Sequence, residues 1–237
     1  VYVAPRSRFD KAGKTDKEYA HLILLAKNSK GYENLIKLVS LAFTEGYYYK
    51  PRIDYDLLEK HTEGLICLSA CLAGDIPQLI LNGNFDEAQN LAKRLKDMFK
   101  EDFYIEIQDH NIPEQKQVLP SLIKIARNLD IKLVATNDVH YIHKDDAQMH
   151  DVLLCVQTGK TLDEPNRMRF STEEFYLKTE EEMRAIFDFI PEAIDNTNEN
   201  IKINDTILFN NFILRRYKSD DVFLINRMNS IIINNNN

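Results

Sequence analysis

The sequence predicts an α/β fold built on a largely parallel sheet, either an open sheet or, by preference, a partial βα barrel. Across residues 21–156, short apolar runs of strand length alternate with stretches of helical apolar spacing, the pattern of successive βα units. The 237 residues are 44% hydrophobic, enough for a substantial core in one large domain or two small ones. His, Cys and Asp residues recur at the ends of the expected strands, where a barrel carries its chemistry.

The first run, His21-Leu22-Ile23-Leu24-Leu25-Ala26, reads as a buried strand closed by Lys27-Asn28-Ser29-Lys30-Gly31. Leu35, Ile36, Leu38, Val39 and Phe43 then predict a helix over 32–43 that packs on this strand. A tyrosine-rich loop from Gly46 to Asp54 leads to a short helix near 55–61. The next strand is Gly64-Leu65-Ile66-Cys67-Leu68-Ser69-Ala70-Cys71, and Gly74-Asp75-Ile76-Pro77 opens another helix. Asn82-Gly83-Asn84 punctuates the chain before a helix over 85–99 with Ala88, Leu91, Ala92, Leu95 and Phe99 on one face.

A strand at 103–107 precedes a helix over 113–128, which Pro120 is expected to interrupt or reset. The β-branched run Ile131-Lys132-Leu133-Val134-Ala135-Thr136-Asn137 is the last strand and ends in Asp138 and His140. Residues 144–156 read as a helix carrying His150 and Cys155. Past Gly159 come a polar connection with Arg167-Met168-Arg169-Phe170 and a small helix around 179–187. From Asn196 onward the composition, rich in Asn and Ile, gives little support for any fold.

Composition excludes several classes. A net charge of −7 and a pI near 5.4 oppose a chain that grips a phosphate backbone with its whole surface, though a local basic groove stays open. Three cysteines (Cys67, Cys71, Cys155) make no disulfide framework and fit a reducing cytoplasm. Cys67 and Cys71 are spaced C-x3-C with no second pair to complete a structural zinc site. No run approaches the length of a membrane helix, and the start Val-Tyr-Val-Ala-Pro is unlike a signal peptide. Without an initiator Met, the chain is expected to begin inside a longer protein. Nucleotide folds fall away, because no phosphate-cradling glycine loop or G-x-S-x-G elbow is present.

What remains is a scatter of metal-ligand types. Side chains two apart on an extended chain point the same way, so Asp138 and His140 could converge on one cation. The bland alternative makes Asp138 a helix cap and His140 ordinary surface. His21 and Cys71 lie at strand edges and Glu106 within a strand; His, Cys and Asp together suit zinc, and His with Asp also suits manganese or iron. Singly, each has a plain account: His21 as a satisfied core histidine, Cys71 as a buried small hydrophobe, Glu106 as a solvent-facing strand residue. His110, His143 and His150 read as surface histidines. Tyr47, Tyr48 and Tyr49 beside Lys50 and Arg52 could stack nucleobases and bind phosphates, with Tyr49, Lys50 and Arg52 the candidate contacts, or could form a packing plug.

Longer strings carry a resemblance. His21-Leu22-Ile23-Leu24-Leu25-Ala26-Lys27-Asn28 with Gly31-Tyr32-Glu33-Asn34-Leu35, Gly46-Tyr47-Tyr48-Tyr49-Lys50-Pro51-Arg52-Ile53-Asp54, Cys71-Leu72-Ala73-Gly74-Asp75-Ile76-Pro77, Ala135-Thr136-Asn137-Asp138-Val139-His140-Tyr141 and Phe170-Ser171-Thr172-Glu173-Glu174-Phe175-Tyr176-Leu177-Lys178 occur in order. Over roughly residues 1–200 the chain resembles the N-terminal PHP (polymerase and histidinol phosphatase) domain of bacterial DNA polymerase III alpha subunits. The resemblance implies a distorted (β/α)7 barrel with a trinuclear site of His, Asp, Glu and Cys at the strand C-termini. His21, Cys71, Asp138 and His140 match that metal-binding pattern, whereas some relatives carry Arg in place of the last His and Gly in place of the Cys.

The implied division is 1–160 as the barrel portion, 161–200 as the connection toward a polymerase palm, and 201–237 as a divergent tail of disordered composition. The family's H-x-H pair and the Asp, His and Glu that follow it would lie before Val1. The expectation is therefore a partial barrel lacking its first strands, an incomplete site, exposed apolar edges and weak or absent catalysis by this chain. For the parent protein the resemblance implies a DNA-directed DNA polymerase acting in DNA replication with Mg. Its PHP site would use Zn, Mn or Fe, as a 3′-to-5′ proofreading exonuclease or as a non-catalytic brace for the polymerase core; the remaining alternative is that the protein is itself a free-standing phosphoesterase of the same superfamily acting on small phosphates. The implied partners are DNA, a proofreading subunit and a sliding clamp, in the cytoplasm and without a membrane.

Overall fold

The structure is a computed structural model; it describes residues 1–200 and the backbone of Thr206–Phe209 and Phe212–Arg215. The tail expected at 201–237 therefore lies largely outside the described residues.

The fold is mixed α/β. Strands β1 (Tyr2–Val3) and β2 (Ala20–His21) pair antiparallel, and β1 pairs parallel with β4 (Arg52–Ile53), giving a three-stranded sheet. A second sheet has the order β3-β5-β6-β7, built from Ile23–Ala26, Leu65–Leu68, Phe103–Ile107 and Lys132–Ala135. β5, β6 and β7 run parallel, with Leu68 beside Tyr104 and Ile107 beside Ala135. β3 runs antiparallel to β5, so the parallel reading holds for three of these four strands.

The run expected as one strand from His21 to Ala26 is divided. At Leu22 the chain leaves one sheet for the other, and Leu22 bonds Val1 in both directions: its N–H donates to the Val1 carbonyl at 3.1 Å, and the Val1 ammonium donates to its carbonyl at 2.8 Å.

Helices pack one face of the second sheet: α1 (Ser29–Thr44), α4 (Phe85–Phe99), α5 (Pro113–Leu129) and α8 (Glu192–Asn200), with α2 (Tyr55–Glu59), α3 (Asp75–Leu81) and α7 (Glu180–Ile186) extending the layer. α1 starts where the Asn28 side chain accepts from the Gly31 N–H. There Gly31 lies against the Gly64 backbone so closely that a Cβ on either residue would overlap the other. Its inward face is Gly31, Asn34, Leu38 and Ala42; Ile36, Val39 and Phe43, expected to cover the strand, are exposed because they lie on a neighbouring stripe.

α5 runs unbroken through Pro120. That residue is exposed, as is Lys116, so the carbonyl deprived of its helical partner is on the solvent side. A 3-10 turn at Lys144–Asp146 leads into α6 (Ala147–Thr158), which ends on Gly159 at φ 64°. Met183, Phe187, Ile190, Ala193 and Ile194 join the same core as the sheet, and the Asn196 amide donates to the Leu133 carbonyl at 2.8 Å. α8 thus carries regular structure through Asn196–Asn200, where composition gave little support for it.

The opposite sheet face carries Ile66, Leu68, Tyr104 and Val134 as a second buried cluster. Since side chains alternate along a strand, Glu106 continues the Tyr104 row and Thr136 the Val134 row on this face. The candidate site lies just beyond, at the C-terminal edge.

Candidate metal centre

Cys71, Asp138 and His140 sit just past strand ends, while His21 is the last residue of β2. Cys71 follows Ala70, which is left-handed at φ 65°, and the Gly74 N–H closes the turn on the Cys71 carbonyl at 2.8 Å. The His21 N–H donates to the Ala73 carbonyl at 2.9 Å, which brings β2 alongside this turn. The result is a pair: Cys71 Sγ is 3.7 Å from His21 Nδ1. Burial pushes the Cys71 thiol up to about 12, reinforced by the negative charges of Asp138 and Glu106. Burial also lowers the His21 pKa, so the pair is a neutral thiol beside a neutral imidazole, an arrangement that would give up a proton to bind a cation.

The second pair is Asp138 and His140, with Asp138 Oδ1 3.6 Å from His140 Nε2. The two do not lie on an extended strand. Asp138 is left-handed at φ 39°, so a turn, and not strand alternation, aims both side chains. Burial works to raise the Asp138 pKa, but His140, with His110 and His21, outweighs it and holds the carboxylate below its usual value. Asp138 also lies within electrostatic reach of the His21–Cys71 pair. His140 packs edge-on against Phe170 and Phe175, with ring centroids 4.6 and 5.7 Å away, and tilts against His150 at 5.4 Å.

The four candidates converge as two pairs. Among the described residues no group of three or more His, Cys, Asp or Glu side chains is placed to hold a metal ion. The donor chemistry fits a divalent cation, and Glu106 adds an oxygen without a partner. Glu106 is not solvent-facing as expected but 2% exposed. Its Oε1 accepts from Gln108 Nε2 at 2.9 Å and from the Thr136 hydroxyl, while Oε2 has no hydrogen-bond partner. Burial raises its pKa to about 7. A cavity of about 10 Å³, the size of one water, has both Glu106 and Cys71 in its lining.

Two other expectations change. His110 is fully buried, not a surface histidine, and His150 is half-buried against His140; His143 is exposed. For His110 nothing in the sequence spacing signals this, because strand and helix periodicity does not reach into the loop that places it. Arg52 is also fully buried, which removes it as a phosphate contact. Its guanidinium donates to the carbonyls of Gly46 at 3.2 Å, Asp10 at 3.0 Å and Asp16. Tyr49 and Lys50 remain exposed, and the Lys50 charge reaches His21.

A largely parallel βα sheet with His, Cys and Asp beyond the C-terminal ends of its strands places them where βα barrels carry their active sites. Comparison with known families narrows this: residues 1–110 match the PHP domain. Its relatives are DNA polymerase III alpha subunits. It is 51% identical to that of Treponema pallidum over 199 residues, 47% to that of Borreliella burgdorferi over 198, and 49% to that of Thermus aquaticus over 213. These matches cover 83%, 83% and 88% of the chain but 17%, 17% and 18% of the relatives, so the chain spans about a sixth of their length. No helix among the described residues is long and apolar enough to cross a membrane.

Proposed function

We propose that this chain is PHP-domain sequence of a bacterial replicative DNA polymerase III alpha subunit, and that its strand-end pocket binds divalent cations for phosphodiester hydrolysis, as in 3′-to-5′ proofreading. The observation that supports this best is the convergence of the His21–Cys71 pair and the Asp138–His140 pair, from distant parts of the chain, on one sheet edge. His21, Cys71, Asp138 and His140 would hold the metal, as Zn, Mn or Fe. Bound there, the cation would supply an activated water and neutralise phosphate charge. Exposed Tyr49 and Lys50 would meet nucleic acid beside His21. Residues 161–200 would connect toward a polymerase palm that uses Mg, with DNA, a proofreading subunit and a sliding clamp as partners in the cytoplasm.

One observation favours a second reading, a non-catalytic module that braces the polymerase: the described donors form pairs and no closed set. Metal analysis and exonuclease assays decide, on this chain and on the longer subunit it is proposed to belong to, each with Asp138→Ala and His140→Ala. The catalytic reading expects bound metal that both substitutions remove, with loss of exonuclease rate. Absence of metal with an unchanged rate overturns it.

A further inference from the structure

His110 sits behind the Asp138–His140 turn and is entirely inaccessible to solvent. Its hydrogen bonds fix its tautomer. The Gln115 Oε1 accepts from the His110 backbone N–H at 2.7 Å, which turns the Gln115 Nε2 toward His110 Nδ1 at 2.9 Å. Gln115 Oε1 also lies 3.3 Å from Nδ1, but the Asn137 carbonyl oxygen at Nε2 can only accept, so the proton is on Nε2 and Nδ1 accepts from the amide. That Nε2–H points at the carbonyl oxygen of Asn137, 2.8 Å away.

The acceptor matters because the Asn137 carbonyl belongs to the peptide plane leading into Asp138. The orientation of that plane sets the Asp138 φ of 39°, a left-handed value that a non-glycine residue holds only when its surroundings enforce it. The Asn137 side chain is held as well, since its Oδ1 accepts from Lys178 Nζ at 3.2 Å. On its other side the His110 ring stacks on Phe175 at 4.3 Å and 8° between planes, and the Phe175 carbonyl accepts the His140 N–H at 2.8 Å. One imidazole thus contacts both the peptide before Asp138 and the residue that tethers His140.

We propose that His110 is a positioning residue of the metal centre, holding Asp138 and His140 in ligating orientation through the Asn137 peptide and Phe175 without itself touching the metal. The proposal rests on the metal reading above. Partners at this remove from a metal typically change affinity by about 10–100-fold.

The test is Co²⁺ titration of the full chain, followed by the cobalt d–d and thiolate charge-transfer absorption, for wild type, His110→Leu and His110→Gln. The expected result is a loss of about 10–100-fold in Co²⁺ affinity for His110→Leu. Most of that loss should be recovered in His110→Gln, whose side-chain amide can still donate to the Asn137 carbonyl. Equal affinity in wild type and His110→Leu overturns the proposal and leaves the metal reading intact; a wild-type chain that binds no Co²⁺ overturns both. Should His110→Leu fail to fold, the Nε2 proton of His110 is followed by NMR in the wild type during Zn²⁺ addition. Its resonance should shift on binding, and an unmoved resonance with Zn²⁺ bound overturns the proposal.

Discussion

Replacing Glu106 by Gln should abolish a pH-dependent weakness in the fold. In the folded chain the carboxyl is 2% exposed, with Oε2 unpartnered and the charge of Asp138 nearby, and its pKa rises from the ordinary 4.5 to about 7. At about 1.4 kcal/mol per tenfold change in proton affinity, ionised Glu106 makes the folded state roughly 3 kcal/mol less stable than protonated Glu106 does. Below the unfolded value of 4.5 the group is protonated in both states and the full stability is present. As pH rises from there toward 7 the unfolded chain releases the proton while the folded chain retains it, so stability falls; above 7 the loss is complete.

Gln keeps an Oε1 to accept from Gln108 and Thr136 and has no charge. The two proteins should therefore differ little at about pH 4.5, with Glu106→Gln ahead by roughly 3 kcal/mol at about pH 8.5. Urea denaturation of both at each pH, with a chelator present so that metal binding cannot contribute, gives the difference directly, and the other titrating groups cancel. A stability gap that is the same at both pH values would refute the reasoning.

Two further outcomes follow from packing. Arg52→Met should destabilise by at least about 3 kcal/mol, because three backbone carbonyls lose a charged donor at about 1–3 kcal/mol each. Arg52→Lys should rescue little of it, since one ammonium cannot span the three; a loss under about 1 kcal/mol by denaturant titration would return Arg52 to the surface. Gly31→Ala should cost more than about 2 kcal/mol, since the new Cβ meets Gly64 backbone that cannot swing away. Gly83→Ala, at φ 79° in open space, should cost only the left-handed penalty of about 1 kcal/mol, and equal melting temperatures for the two variants would contradict the contact.

Much of the fold was legible because periodicity reports which face of an element is buried. The strand Phe103–Ile107 coincides with its apolar run, and α4 spans the expected 85–99. Periodicity is local, however, and does not say which strand a strand will meet. The division of the 21–26 run between two sheets and the antiparallel pairing of β3 depend on Val1 and β5, far away in sequence.

The same limit applies to the site. The sequence alone brought out His21, Cys71, Asp138 and His140, because ligand chemistry at strand ends and the family strings are both visible in residue order. Tertiary structure alone decided that these residues meet as two pairs, that Arg52 and His110 are buried, and that Glu106 faces inward with an oxygen free. Burial and left-handed turns are set by what packs behind a residue. Behind the peptide that enters Asp138 lies His110, 28 positions earlier in the chain, and no local pattern records it.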